Sequence, residues 1–325
     1  MEKIDAVIMW VDGEDPIFVR QHANYSGIVA KAARKHEVRA RHRNNGELNY
    51  CLRGIHDNMP WINRIHIVTS GQVPDGIDFD NPRLNLVIHS DIFPDLSVLP
   101  TFNSFAIDSC LHHIPGLSDK FIRFSDDFLA INPVEPKMLM GVEGQGKYYF
   151  GHGAPDMNLA GDVKGNYRRT LGFNRFVLGT RGIVAAHAPL HVPQMRKTEI
   201  CERIEKNFAK DLAITRDAKF RTDRDLSMLF FYPHYVAKLL EAPLDEENHH
   251  QGPAFSYATW GVARQALVGD AKQDWRKTMQ KAKDEKAVFL NVNDHLGNEP
   301  DPQDMIDFET LLDQVLPNPA PWEQS

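Results

Sequence analysis

The chain has 325 residues, 42% of them hydrophobic and 25% charged, with a formal net charge of −7, so it can bury one large core or two modest ones. The acidic balance argues against a nucleic-acid surface as its main business, and no apolar run approaches the roughly 20 residues needed to span a bilayer. The N-terminus opens on charge and a strand rather than on a signal-peptide core, which predicts a cytoplasmic protein.

In chain order, the first strand is expected over residues 6–11 and runs into Trp10-Val11-Asp12-Gly13-Glu14-Asp15-Pro16. The stretch 31–43 is locally basic and suited to phosphates on a small ligand. Leu48, Leu52 and Ile55 recur at helical spacing, and residues 64–69 and 84–89 read as further strands. Ala106, Ile107, Cys110, Leu111 and Ile114 make a second helical face that stops at Pro115-Gly116. Residues 121–124 then form an apolar strand that delivers Ser125-Asp126-Asp127. Adjacent carboxylates repel and are costly to desolvate, so such a pair at the end of a buried strand calls for a compensating cation. Cys51, Cys110 and Cys201 are odd in number and far apart, which suggests small core residues rather than a disulfide framework or a thiolate metal site.

Ten of the 21 glycines fall within residues 141–182, interleaved with Tyr148, Tyr149, Tyr167 and Arg168-Arg169; this segment reads either as a lid over a crevice or as a plain surface excursion. Ile200, Ile204, Phe208 and Leu212 continue as a helix, and Leu226, Leu229 and Phe230 as another that Pro233 is expected to kink or end. Residues 287–292 make a late strand ending in Asn293-Asp294, and an amphipathic helix over 305–316 precedes a proline-rich tail. Alternating strands and helices predict an α/β fold, with a mostly parallel sheet flanked by helices and a C-terminal helical portion. Its expected organisation is an α/β half over 1–140, the glycine-rich segment over 141–182, and a helical and late-strand portion over 183–325 that completes one catalytic domain.

In such sheets ligands sit beyond the carboxyl ends of the strands, where Asp12 with Asp15, Asp126 with Asp127, and Asn293 with Asp294 are expected. These oxygen donors suit Mg²⁺ or Mn²⁺, which bind through one or two carboxylates and substrate phosphates. His187 and His191 have the spacing of helical zinc ligands, but Pro189 between them argues against a regular helix, and no Glu stands in the HExxH position. The arginines Arg41, Arg43, Arg53, Arg196, Arg221 and Arg224 could hold a diphosphate or serve as surface ion pairs. No GxGxxG follows the first strand, and neither a P-loop nor a GxSxG elbow occurs, so dinucleotide-binding, ATP-hydrolysing and serine-hydrolase readings lack their defining contacts.

Taken together, the segments resemble the Stealth family of sugar-phosphate transferases. The residues that carry the resemblance run from Ile4-Asp5-Ala6-Val7 through Asp12-Gly13 and from Arg41-His42-Arg43-Asn44-Asn45-Gly46-Glu47-Leu48 to Ser125-Asp126-Asp127. Two further stretches, His187-Ala188-Pro189 through Phe220-Arg221 and Asn293-Asp294, complete the match. The resemblance implies a GT-A-like sheet and transfer of a whole hexose-1-phosphate, with N-acetylhexosamine-1-phosphate the expected group, from a UDP-sugar donor to a glycan or lipid-linked glycan acceptor, releasing UMP. It also implies Asp126, Asp127, Asn293 and Asp294 around the metal, His187 as general base and Arg221 as phosphate ligand. Asp12, Gly13, Arg43, Asn45, Glu47, Asn103 and Asp108 would stand near the nucleotide and sugar. Where the family often has Asn-Asp-Asp, this chain has Ser125-Asp126-Asp127. An ordinary glycosyltransferase releasing UDP and a silent nucleotide-sugar-binding protein are the competing readings, and peripheral association with a membrane-bound synthesis complex fits the expected role.

Overall fold

A computed structural model describes residues 2–29, 42–140, 146–150, 166–240, 255–257, 263–270, 272–297 and 299–324. Its strands in chain order are β1 (Ile4–Met9), β2 (Ile65–Thr69), β3 (Leu84–Ile88), β4 (Lys120–Ser125), β5 (Phe128–Ala130), β6 (Tyr148–Phe150), β7 (Gln194–Lys197), β8 (Phe255–Tyr257), β9 (Ala263–Val268) and β10 (Phe289–Asp294). The helices are α1 (Pro16–Val29), α2 (Glu47–Asn58), α3 (His89–Ile92), α4 (Ser104–Asp108), α5 (Asn166–Gly179), α6 (Thr198–Asn207), α7 (Ala209–Asp217), α8 (Met228–Leu239), α9 (Trp275–Asp284) and α10 (Pro302–Val315). None of the described helices is long and apolar enough to cross a membrane.

The main sheet has the order β3-β2-β1-β4-β7, with β1 parallel to both β2 and β4, and β7 antiparallel to β4. Both faces of β1 are covered: Ala6 and Ile8 join one apolar cluster with α2, α9 and α10, while Val7 joins another with α8. This double burial is why the central strands read as continuous apolar runs. A smaller sheet, β5-β10-β9, lies alongside. Within it β10 is antiparallel to β5, so the late strand is tied directly to the segment that follows Asp127.

Helix α2 packs against β5 at Gly54, where a Cβ would meet the Ala130 carbonyl oxygen at 2.6 Å; only glycine permits that approach. All three cysteines are buried and free, as expected of small core residues. The apolar residues at 106, 110, 111 and 114 are buried as the periodicity predicts, but α4 stops at Asp108 and a 3₁₀ turn covers Leu111–His113. The Ser109 carbonyl accepts from Arg216 Nη2 at 2.8 Å, so it is drawn out of a continuing helical ladder. A similar break divides α6 from α7 at Phe208.

Pro233 does not end its helix: α8 continues through it to Leu239. Proline leaves the carbonyl four residues earlier without its usual donor, and Gln194 Nε2 donates to that Leu229 oxygen at 3.0 Å. Residues 166–179 of the glycine-rich segment form a helix rather than a loop, whereas 141–145 and 151–165 lie outside the described residues. Helix α10 buries Phe308 and Leu312 and packs on α9 within the larger core cluster.

Candidate active site

The parallel register sets Met9 beside Ser125 and Val68, so β1, β2 and β4 end together. Asp126 and Asp127 occupy the two-residue turn that leads directly from β4 to β5. The Val292 amide donates to the Asp127 carbonyl at 3.0 Å, which brings Asn293 and Asp294 to the same place. Here a cavity of about 730 Å³ opens, lined on its polar side by Arg43, Glu47, Asp126, Asp127, Asn293 and Asp294, with Arg123 and Arg221 also in its wall. Phe18, His22, Phe102 and Phe220 form an aromatic side, in which Phe102 and Phe220 stack with centroids 5.2 Å apart.

Three of the carboxyls that line this cavity are held away from their ordinary range. Burial, then the charges of Asp127 and Glu47, push the Asp126 pKa well above the ordinary carboxylate range. Burial also raises Asp127, against the opposing effects of a hydrogen bond from Asn291 and the positive charges of Arg123 and Arg221. The Asn291 amide holds Asp127 Oδ2 at 2.8 Å. Glu47 is pushed up to about 7, chiefly by burial and further by Asp127, although hydrogen bonds from Asn45 oppose the shift. Such a concentration of desolvated anionic oxygen fits a hard divalent cation held by two carboxylates and completed by water and substrate oxygens.

The other expected site residues take more varied places. Asp294 Oδ2 pairs with Arg43 Nη1 at 2.8 Å and accepts from Asn45 Nδ2 at 3.3 Å, while its Oδ1 accepts from the Leu296 amide. Asp294 is thus heavily engaged by protein donors at the cavity wall. Asn45 also bonds Glu47 Oε1 at 2.7 Å, and its own Oδ1 is buried without a hydrogen-bond partner among the described residues. Of the basic stretch 31–43, only His42 and Arg43 lie within the described residues.

Asp12 lines a separate small pocket with Asp15 and Gln72. Its backbone is gripped on both sides by the Gln72 amide. Gly13 permits backbone contact: its amide donates to the His42 carbonyl at 2.6 Å, and an added Cβ would stand 2.4 Å from that oxygen. Asn103 and Asp108 do not line the cavity. Asn103 is buried, caps α4 through the Phe105 amide and bonds Asp225, and Asp108 receives a two-pronged pair from Arg196 at 2.6 and 3.2 Å. Beyond the local cap, their polar groups are engaged by partners far away in sequence, Asp225 for Asn103 and Arg196 for Asp108, which local spacing could not reveal. Among the arginines, Arg53 binds Glu323 and Arg196 is buried on Asp108.

His187 is not part of the described cavity lining. It is buried near His234. His191 is also outside that lining; burial and then the charges of Arg123 and Arg221, which do line the cavity, lower its pKa to about 4. Its Nε2 meets the Tyr167 hydroxyl at 3.1 Å. Asn291 and Arg123 are site residues that motif reading missed. Strand alternation from Asn293 could have pointed to Asn291, two positions earlier on the same face. The described residues contain one His, Cys, Asp or Glu set with ligand atoms mutually within 4.8 Å: His112, His113 and Glu205, outside the cavity lining. Glu205 is already shared there by both histidines and Arg216.

Stealth protein conserved region 2 matches residues 41–148, and Stealth protein conserved region 3 matches residues 190–238. Proteins named exopolysaccharide phosphotransferase are similar along 99% of the chain: one from Streptomyces coelicolor is 32% identical, one from Nocardia farcinica 30%, and CpsY from Mycobacterium tuberculosis 30%. The matches cover 52%, 61% and 58% of those relatives, so the chain spans between half and two thirds of their length. Among solved structures, the galactosyltransferase LgtC is similar over 98% of both chains at 9% identity and a TM-score of 0.43. The bifunctional glycosyltransferase WbbM is similar over 99% of this chain and 50% of its own at 11% identity and a TM-score of 0.44.

Proposed function

The chain belongs to the Stealth protein family, and we propose that its cavity transfers a sugar-1-phosphate, as N-acetylhexosamine-1-phosphate, from a UDP-sugar to a glycan hydroxyl in exopolysaccharide synthesis. The observation that carries this reading is the convergence of Asp126, Asp127 and the Asn293-Asp294 strand end in one cavity with Arg123 and Arg221. The names of the relatives support the same reaction class. The acceptor oxygen attacks the sugar-linked phosphorus, the bond from that phosphorus to the UMP oxygen breaks, and the sugar's anomeric C–O bond stays intact.

Asp126 and Asp127 would hold Mg²⁺ or Mn²⁺, with Asn293 and Asp294 beside them. When bound, the metal supplies charge neutralisation for the diphosphate and for departing UMP. Arg221 adds positive charge at the cavity wall, and Glu47 with Asn45 and Arg43 fixes the polar side against which the donor rests. The acceptor hydroxyl must lose its proton, and we assign that proton to His191 rather than His187. Burial and then the two arginines keep His191 neutral, and an arriving diphosphate would offset the arginines' part of that effect.

Incubation with UDP-N-acetylglucosamine, a glycan acceptor and Mg²⁺ is expected to release UMP and add the mass of a sugar phosphate to the acceptor, read by chromatography and mass spectrometry. Release of UDP would instead assign ordinary glycosyl transfer, and tight UDP-sugar binding without turnover on any acceptor would mark a binding protein. In the same assay His191→Ala is expected to lower turnover by roughly 10²- to 10³-fold while donor binding persists. An equal loss in a folded His187→Ala variant, with His191→Ala active, would return the proton-accepting role to His187.

A further inference from the structure

We propose that Arg123 is a diphosphate-binding residue of this cavity, gripping phosphoryl oxygens from the end of β4; the identity of that anion as part of a nucleotide-sugar rests on the function proposed above. Arg123 is only 7% exposed, yet it forms part of the cavity wall. Its Nε and Nη1 are buried and make no hydrogen bond among the described residues. A desolvated guanidinium with unused donors is costly, and the cost is relieved when an anion arrives.

The surroundings explain why this charge is left over. Asp108 Oδ2 lies 3.6 Å from Arg123 Nε, but Arg196 takes both oxygens of that carboxylate. Two guanidinium groups therefore share one carboxylate. Arg196 is itself fully buried and held through its Nε by Gln194, so Asp108 and Arg196 form a fixed support behind Arg123. The face of Phe128, 5.4 Å from the guanidinium carbon, limits its movement from another side. Arg123 also feels the charges of Asp127 and Asp126, which a bound divalent cation would neutralise, leaving the arginine available to an oxyanion. Trp10 Nε1, buried and without a partner among the described residues, supplies a further donor in the same lining. The planar fork of arginine matches two phosphoryl oxygens, whereas lysine offers the same charge without that geometry.

Calorimetric titration of the wild-type chain, Arg123→Lys and Arg123→Gln with inorganic pyrophosphate, UDP and uridine, all in saturating Mg²⁺, separates binding from support. Pyrophosphate and UDP are expected to bind about 10-fold more weakly to Arg123→Lys and up to about 100-fold more weakly to Arg123→Gln, with uridine unchanged. Mn²⁺ affinity should survive in Arg123→Lys, which keeps the charge beside the carboxylates. Wild-type pyrophosphate affinity in Arg123→Lys and in Arg123→Gln would overturn the assignment, as would parallel loss of pyrophosphate and uridine, failure of both variants to fold, or no pyrophosphate binding by the wild type. Failure of the wild type to release UMP while pyrophosphate binding follows the expected pattern would remove the transfer reaction and leave Arg123 as an anion-binding residue.

Discussion

Asp127→Asn is expected to reduce sugar-phosphate transfer by about 10³-fold and to abolish the response to Mg²⁺, without lowering the thermal midpoint of the metal-free protein. The two halves of this outcome have one cause. Asp127 is half-buried next to Asp126 and near Glu47, so its charge opposes the metal-free fold and is useful only when a cation shares the site. An amide oxygen at position 127 can still accept the bond that Asn291 now gives to Oδ2, which preserves the turn while removing the anion. Loss of a metal contact worth several kcal/mol corresponds to about a thousandfold in rate. Turnover assays across a Mg²⁺ series and a thermal melt in chelator test both halves. Undiminished, metal-responsive transfer would remove Asp127 from the site, and a melt lowered by many degrees would mean that it supports the fold instead.

The second large effect is a pH dependence of stability that Mg²⁺ should suppress. Glu47 rises from 4.5 to about 7 in the folded chain, and Asp126 and Asp127 are raised as well. Between these limits the folded state holds a proton that the unfolded state has already released. The stabilising contribution is therefore complete below about pH 4.5 and disappears as the pH passes 7, amounting to about 3 kcal/mol for Glu47 alone. In chelator the thermal midpoint should fall between pH 5 and pH 7.5; saturating Mg²⁺ should flatten the slope by favouring the ionised carboxylates. Glu47→Gln should also flatten much of it in chelator. A wild-type midpoint that climbs steadily through this interval would contradict the assigned environment of Glu47.

Both effects depend on how three distant segments meet. The Asp-Asp turn was visible in sequence because a strand of apolar residues ends abruptly on two acids, and Asn293-Asp294 because a second strand ends the same way. Their union is implied by the family resemblance rather than by local pattern, and it is realised through the antiparallel pairing of β10 with β5. Glu47 was recognised through its motif, but its neutral-leaning carboxyl arises from burial in the folded chain, with a smaller push from Asp127.

The linear pattern alone determined the central strands, the faces of α2 and α10, and the presence of an oxygen-rich set of strand ends, because side-chain alternation and helical spacing depend on near neighbours. Only the tertiary structure decided that Asp108 and Asn103 serve internal bonds, that the charges of Arg123 and Arg221 reach His191, and that Arg123 stands in the cavity wall with Nε and Nη1 making no hydrogen bond among the described residues. Those outcomes depend on pairings across many residues, such as Asp108 with Arg196. A local pattern specifies which side of a strand or helix a residue occupies, but the partner waiting on that side is set by how the chain returns.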